Sequence, residues 1–236
     1  MRVNEIFHSI QGEGMYQGIP MTFIRLQGCN LLTKCAWCDT SYAWDPKDGE
    51  EMSVEDVLEQ VKKLSPNRGS WICITGGEPL WQEKELEQLV RKLKLWGYQI
   101  TIETNGSFKF PGWYTLVDSW NADIKCPSSG VCGVSNDIWF RTRQQDQIKF
   151  VVGTEEDLDY VKEVLSRHKA DSPTVLVSPV IGLGPTFKEV RTSKVHEVSI
   201  EENRPWLQRV VEFCLEQRLG FSLQWHKVVY GNKRGV

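Results

Sequence analysis

The sequence predicts an α/β fold built on a parallel sheet, and three observations predict it. Strand-like and helix-like segments alternate along most of the chain, the strand-like ones are short runs of β-branched and aromatic residues, and the chemically versatile residues fall just after those runs. Residues 21–26 (MTFIRL) read as a strand, followed at 28–52 by a loop rich in Gly, Cys, Asp and Pro. Ser53, with Asp56 three residues on, opens a helix close to capping-box form, in which Val54, Val57, Leu58, Val61 and Leu64 recur at helical spacing. Residues 71–75 form the next strand. Leu86, Leu89, Val90 and Leu93 then share a helical face that stops at Gly97. Residues 98–103 are strand again. The segment 110–145 carries weaker signals, a short strand at 122–124 and a short helix at 136–142. A strand–helix–strand unit follows at 147–152, 155–167 (Leu158, Val161 and Leu165 in register) and 174–177. The last helix carries Leu207, Val210, Val211 and Cys214 on one face and leads through Gly220 into an extended stretch at 221–225. A closed or partly closed βα barrel and an open doubly wound sheet share this alternation, and both gather their chemistry at the carboxyl ends of the strands.

The length, 236 residues, favours one domain spanning 1–236, and no repeat, low-complexity tract or long Gly/Ser linker divides it. Hydrophobic residues at 40% and charged residues at 25% exclude disordered and collagen-like classes. A net charge of -3 supplies no basic field for nucleic acid, so a small-molecule substrate is the expectation. The opening MRVNEIFHSIQ has neither a basic n-region nor a signal-peptide core, and no apolar run approaches the roughly 20 residues of a spanning helix, which predicts a cytoplasmic protein without membrane attachment. Seven cysteines in such a compartment read as metal ligands or buried thiols rather than a disulfide framework.

Cys29, Cys35 and Cys38 lie in the loop directly after the strand at 21–26. Three thiolates on one short loop suit an iron–sulfur cluster that keeps one iron free for another ligand. They also suit a zinc site completed by a fourth ligand, or three inert thiols. Cys73 within a strand and Cys214 on an apolar helix face are expected to be buried thiols, and nothing in the spacing of Cys126 and Cys132 demands a metal. The ten tryptophans are dispersed and form no stacking ladder.

After the strand at 71–75 comes Gly76-Gly77-Glu78-Pro79, whose glycines allow close backbone approach and whose carboxylate can accept from an amino group. A three-cysteine loop followed one strand later by this motif resembles the radical S-adenosylmethionine superfamily. Within it, the chain is similar to the 7-carboxy-7-deazaguanine synthase family over nearly its whole length. The resemblance is carried by Ser9-Ile10-Gln11-Gly12-Glu13-Gly14, Phe23-Ile24-Arg25, Gly28-Cys29-Asn30, Cys38-Asp39-Thr40 and Thr75-Gly76-Gly77-Glu78-Pro79. Further along come Glu103-Thr104-Asn105-Gly106, the run from Asp123 to Gly130, and Leu223-Gln224-Trp225-His226-Lys227. One departure is the five residues between the first two cysteines, where most superfamily members have three.

The resemblance implies an α/β partial (βα) barrel of the radical S-adenosylmethionine type in a single domain, with the cluster loop at 28–40. It implies a 4Fe–4S cluster on Cys29, Cys35 and Cys38, whose open iron binds S-adenosylmethionine and supplies a 5'-deoxyadenosyl radical. The implied reaction is ring contraction of 6-carboxy-5,6,7,8-tetrahydropterin to 7-carboxy-7-deazaguanine with loss of ammonia. It assigns Gly77 and Glu78 to the methionyl end of the nucleotide, and Trp37, Asp39, Asp123, Lys125 and Ser178 to other parts of it. Gln11, Gly12, Glu13, Arg25, Thr75 and His226 fall to the substrate, and Thr40 to a magnesium ion. Chemically, Glu13 suits the guanidine-like edge of a pterin, and the planar fork of Arg25 suits a carboxylate or ring carbonyl. Read without the resemblance, Arg25 is a surface strand charge, Glu13 a solvated turn, Trp37 a core contact and His226 a polar strand end. An electron donor such as flavodoxin or ferredoxin and a homodimer are the implied partners. Two rival readings are a glycyl-radical-enzyme activase and a non-enzymatic zinc-stabilised α/β binding module.

Overall fold

The structure is a computed structural model that describes residues 1–168, 174–181, 200–231 and 233–236. Among these residues one sheet contains β1 (Arg2–Ile10), β2 (Pro20–Leu26), β3 (Glu50–Glu51), β4 (Trp71–Gly76), β5 (Gln99–Thr104), β6 (Ser119–Lys125), β7 (Gln147–Val152), β8 (Thr174–Pro179) and β9 (Gly220–Phe221). Their spatial order is β3-β1-β2-β4-β5-β6-β7-β8-β9. Apart from β3, which pairs antiparallel with β1 at the sheet edge, each strand from β2 to β9 runs parallel to its neighbour and the order follows the chain. A doubly wound sheet would reverse its order at a switch point; this one winds in a single direction and ends at two separate edges, β3 and β9, as a partial barrel does.

The helices are α1 (Val54–Leu64), α2 (Glu83–Leu95), α3 (Glu155–Arg167), α4 (Ile200–Gln217) and α5 (Trp225–Tyr230). Among the described residues none is long and apolar enough to cross a membrane. The expected cap of α1 is present: Ser53 Oγ accepts from Asp56 N at 3.1 Å while the Asp56 carboxylate accepts from Ser53 N at 3.2 Å. Thr154 and Asp157 repeat the device at α3. Between 136 and 142 the chain forms a single 3-10 segment, Asp137–Arg141, capped by Asn136.

Two elements depart from the sequence reading. β1 pairs antiparallel with β2, although its residues are mostly half-buried and its pattern lacks a clean apolar alternation. At the other end the strand stops at Phe221, and 225–230 is helix rather than extended chain.

Strand alternation divides the sheet into two chemically opposite faces. Ile24, Leu26, Ile72, Ile74, Ile100, Ile102, Trp120 and Ala122 are buried in one core with the apolar faces of α1 and α2. Ile148, Phe150, Val152, Val175 and Val177 continue that face into a second core with α3 and α4. The intervening residues of the same strands, among them Arg25, Thr75, Glu103, Asp123 and Lys149, therefore belong to the opposite face. Parallel register places Arg25 beside Thr75 and Asp123 beside Lys149.

Asp157 links the helical layer to the loops above it. Its buried carboxylate accepts from Gly153 N at 2.6 Å, Thr154 N at 3.1 Å and Ser128 N at 2.9 Å. Asp157→Ala strands three backbone donors and is expected to lower unfolding free energy by about 3 kcal/mol, read as a shift of the urea midpoint. A shift no larger than that of an exposed Asp→Ala control refutes this role.

Candidate active site

The charged face lines a cavity of about 440 Å³. Its first wall is the turn after β1. Gln11 N donates to Ile19 O and Gly18 N to Gln11 O, both at 2.8 Å, closing the hairpin that presents residues 11–13. The Gln11 amide donates to Glu103 Oε1 at 3.1 Å, and the Thr75 hydroxyl donates to Glu103 Oε2 at 2.8 Å. Two expected substrate residues thus converge on a carboxylate that the sequence reading had quoted only within a motif. Gly12 faces the C-terminal motif: a Cβ there would lie 2.3 Å from His226 Nδ1, so any other side chain would displace the imidazole. Trp225 N donates to Gly12 O at 2.8 Å, which fixes α5 against the turn.

The second wall is the cysteine loop. Cys29, Cys35 and Cys38 are half-buried and all line the cavity. The longer spacing resolves into a plug and a bulge, with Leu31 buried at 8% exposure and Leu32 projecting at 96%. Ala36 N donates to Ser129 O at 2.9 Å and Trp37 Nε1 to Ser128 Oγ at 3.2 Å, so the 127–129 turn carries the loop. On the other side the Asn105 amide donates to Asn30 Oδ1 at 2.8 Å and lies 3.8 Å from Cys29 Sγ. Gly77 has a packing reason to be glycine, since a Cβ would sit 2.1 Å from Gly28 O. Its N–H donates to Leu26 O at 3.1 Å, and Glu78 N donates to Gly28 O at 2.8 Å. The glycine motif therefore approaches the cysteine loop, besides lining the cavity at Gly77.

The Glu78 carboxylate is fully buried, is not part of the cavity lining, and accepts from Leu80 N at 3.0 Å, Thr104 Oγ1 at 2.8 Å and Asn105 N at 2.7 Å. These donors tie it to the loop at 104–105. Ser178 is likewise not part of the cavity lining. Its side chain is buried, and its hydroxyl has no hydrogen-bond partner among the described residues. The remaining expected residues, from Gln11 to His226, line the same cavity.

A chain of charges crosses the cavity floor. Lys125 Nζ lies 2.7 Å from Asp123, Lys149 Nζ lies 3.3 Å from the other Asp123 oxygen, and Lys149 Nζ lies 2.8 Å from Glu13 Oε2. Burial alone would suppress these charges. For Asp123 the two ammonium groups outweigh it and hold the carboxyl below its usual range. For Lys149 the carboxylates of Asp123, Glu13 and Glu103 outweigh it and raise the amine. Burial, with Glu13 nearby, pushes the Glu103 carboxyl up. At the mouth, Asp39 lies 3.4 Å from Lys227 and 3.7 Å from His226, which overcome burial and keep its carboxyl well below the ordinary range. Arg25 Nε donates to Glu5 Oε1 at 2.8 Å, and Tyr42 donates to the same oxygen at 3.0 Å. Arg25 is thus a half-buried wall residue and not a surface charge.

Burial raises all three loop thiols, Cys35 to about 11. Metal binding at this loop must therefore displace protons. The three loop sulfurs share one cavity, and three thiolates on one loop suit an iron–sulfur cluster.

A radical S-adenosylmethionine superfamily model matches residues 23–119. A protein from Koribacter versatilis (strain Ellin345) named 7-carboxy-7-deazaguanine synthase is 36% identical, across 98% of this chain and 97% of its own. The chain belongs to the 7-carboxy-7-deazaguanine synthase family. Another 7-carboxy-7-deazaguanine synthase, from Methanospirillum hungatei JF-1, is 40% identical over 77% of this chain and 74% of its own. The crystal structure of QueE from Escherichia coli superposes with a TM-score of 0.67 over 95% of this chain and 94% of that one, at 23% identity, and supports the fold. The cavity also contains charged residues to which the sequence reading assigned no site role, among them Glu103 and Lys227, which fall within family motifs, and Lys149, whose signal is an isolated charge inside the apolar run of 147–152.

Burial pushes the Glu78 carboxyl up from 4.5 to about 7, against the hydrogen bonds from Asn105, Leu80 and Thr104. A raised carboxyl means that the folded state binds this proton more tightly than the unfolded state. Its contribution is fully present below 4.5 and is lost as pH rises through about 7. Wild-type stability relative to Glu78→Gln should therefore fall by up to about 3 kcal/mol between about pH 5 and 8. Parallel stability–pH curves for the two proteins contradict this.

Proposed function

We propose that this chain is a radical S-adenosylmethionine ring-contracting lyase that converts 6-carboxy-5,6,7,8-tetrahydropterin to 7-carboxy-7-deazaguanine with release of ammonia. The product is a precursor of 7-deazapurines such as queuosine and archaeosine. The observation that carries the reading is one cavity with three half-buried cysteines on one wall and a group of three carboxylates, Glu13, Glu103 and Asp123, on the other, whose ion pairs among the described residues are with Lys125 and Lys149. That group of acceptors complements the donor-rich aminopyrimidinone edge of a pterin. Membership of the 7-carboxy-7-deazaguanine synthase family supports the same reading.

In this proposal Cys29, Cys35 and Cys38 hold a 4Fe–4S cluster, and the bound cluster with S-adenosylmethionine supplies one-electron chemistry that side chains lack. Hydrogen bonds from Leu31 N and the Asn105 side chain at Cys29, and from Thr40 at Cys38, favour the thiolate forms. The Gly77 backbone with Trp37, Asp39, Asp123 and Lys125 surrounds the nucleotide. Glu78 acts from behind that wall, and Ser178 lies outside the cavity lining.

Gln11, Gly12, Glu13, Thr75 and His226 form the pterin side. Glu13 accepts from the ring edge, while Arg25, held through Nε by Glu5, has the rest of its fork for the substrate carboxylate. The Thr40 hydroxyl is the assigned protein ligand of a magnesium ion, which keeps most of its shell as water and substrate. Loss of ammonia alone balances atoms and electrons between substrate and product, so no external oxidant is required. We further assign residues 1–236 to one catalytic domain in a cytoplasmic homodimer served by a flavodoxin- or ferredoxin-like donor. The solvent-facing bulge at Leu32 gives such a donor access to the cluster loop.

The test is anaerobic reconstitution with iron and sulfide, then turnover of the carboxytetrahydropterin with S-adenosylmethionine, magnesium and reductant, followed by mass analysis for the deazapurine acid. Cys35→Ala should lose both cluster and turnover. Glu13→Ala and Arg25→Ala should retain iron and bind substrate about ten- to a hundredfold more weakly. Protein that stays colourless with stoichiometric zinc, or Cys35→Ala with full activity, removes the proposal.

A further inference from the structure

Lys149 is the buried charged group that neither the sequence motifs nor the proposed roles use. It sits in the middle of β7 between Ile148 and Phe150, which face the helices, and its own side chain is 5% exposed on the cavity face. Its ammonium bridges two carboxylates on different elements, Glu13 from the turn after β1 and Asp123 from β6. Among the described residues this ion pair is the one side-chain contact of the Glu13 carboxylate. The carboxylate expected to read the pterin edge is thus held by one contact and keeps unused acceptor capacity. Other titratable groups face Glu13 or its ion pair from the surrounding elements: Glu103 on β5, Asp123 and Lys125 on β6, Cys73 on β4, and His226 on α5 behind Gly12.

We propose that Lys149 is a positioning residue for substrate recognition, holding the Glu13 carboxylate in place as the anionic acceptor for the aminopyrimidinone edge. Without the Lys149 ammonium, Asp123 keeps Lys125 and Glu103 keeps Gln11 and Thr75, whereas Glu13 loses the ion pair that holds its carboxylate. The carboxylate is then free to turn away from the position in which it accepts from the substrate's donors. The proposal rests on reading the cavity as a pterin site.

The measurement is the dissociation constant of 6-carboxy-5,6,7,8-tetrahydropterin for cluster-loaded enzyme with S-adenosylmethionine and magnesium but no reductant. Wild type, Lys149→Met, Glu13→Gln and the double variant are compared. In Lys149→Met the affinity should fall about ten- to a hundredfold relative to wild type, with iron content unchanged. The double variant should match Glu13→Gln. A Lys149→Met affinity equal to that of wild type overturns the role. So does a double variant weaker than Glu13→Gln, since Lys149 would then act on something other than Glu13. If Lys149→Met does not fold, the double variant still decides, because removing both members of a buried ion pair is better tolerated than removing one. Wild-type enzyme that binds no carboxytetrahydropterin removes the pterin reading itself, and this role with it.

Discussion

Strand alternation is the constraint on which the rest of the structure depends. Each parallel strand from β2 to β7 puts apolar residues under the helices and polar or charged residues into the cavity, so the hydrophobic core fixes the register of the charges. A one-residue slip of β7 would drive Lys149 beneath α3 and turn Ile148 and Phe150 into the cavity. Burial of the helical face anchors Asp123 opposite Lys149 closely enough for their charges to survive desolvation.

The loops that complete the cavity depend on that frame through close backbone approaches. Gly77 admits Gly28, which seats the start of the cysteine loop. The turn at 127–129, itself held by Asp157 at the foot of α3, carries the far side of the loop through Ser128 and Ser129. Gly12 admits His226, joining segments from opposite ends of the described chain. Loop geometry and core packing are therefore coupled: a disturbance at α3 reaches the thiols through two hydrogen-bonded contacts.

The parts legible in the sequence were those governed by local rules. The α1 cap, the apolar faces of the helices, and the cysteine and glycine motifs after strands all follow from spacing, and they appear where expected except for Leu64 and Val211, which are exposed. Other features depended on partners distant in sequence. Glu78 looks like a free carboxylate until Thr104 and Asn105 are brought beside it. Glu103 gains its place from Gln11 and Thr75 on two other elements. β1 escaped notice because it is only half covered, and a half-covered strand lacks the strict apolar period. Lys149 was the converse case, a charge in an apolar strand, one of whose partners, Glu13, lies more than a hundred residues away.

Five of the ten tryptophans fall into two groups with different surroundings. Trp113, Trp120 and Trp139 form an aromatic stack with Tyr114 and Phe110 on the helical side of the sheet, with neighbouring indole centroids 5.5 to 5.7 Å apart. Trp37 and Trp44 instead line the cavity beside the loop thiols. Light emitted by the stacked group reports whether the interior is intact, while the cavity pair lies within quenching range of any iron held by those thiols. A single emission spectrum thus mixes a folding gauge with an occupancy gauge, and replacing Trp37 or Trp44 by phenylalanine would separate them.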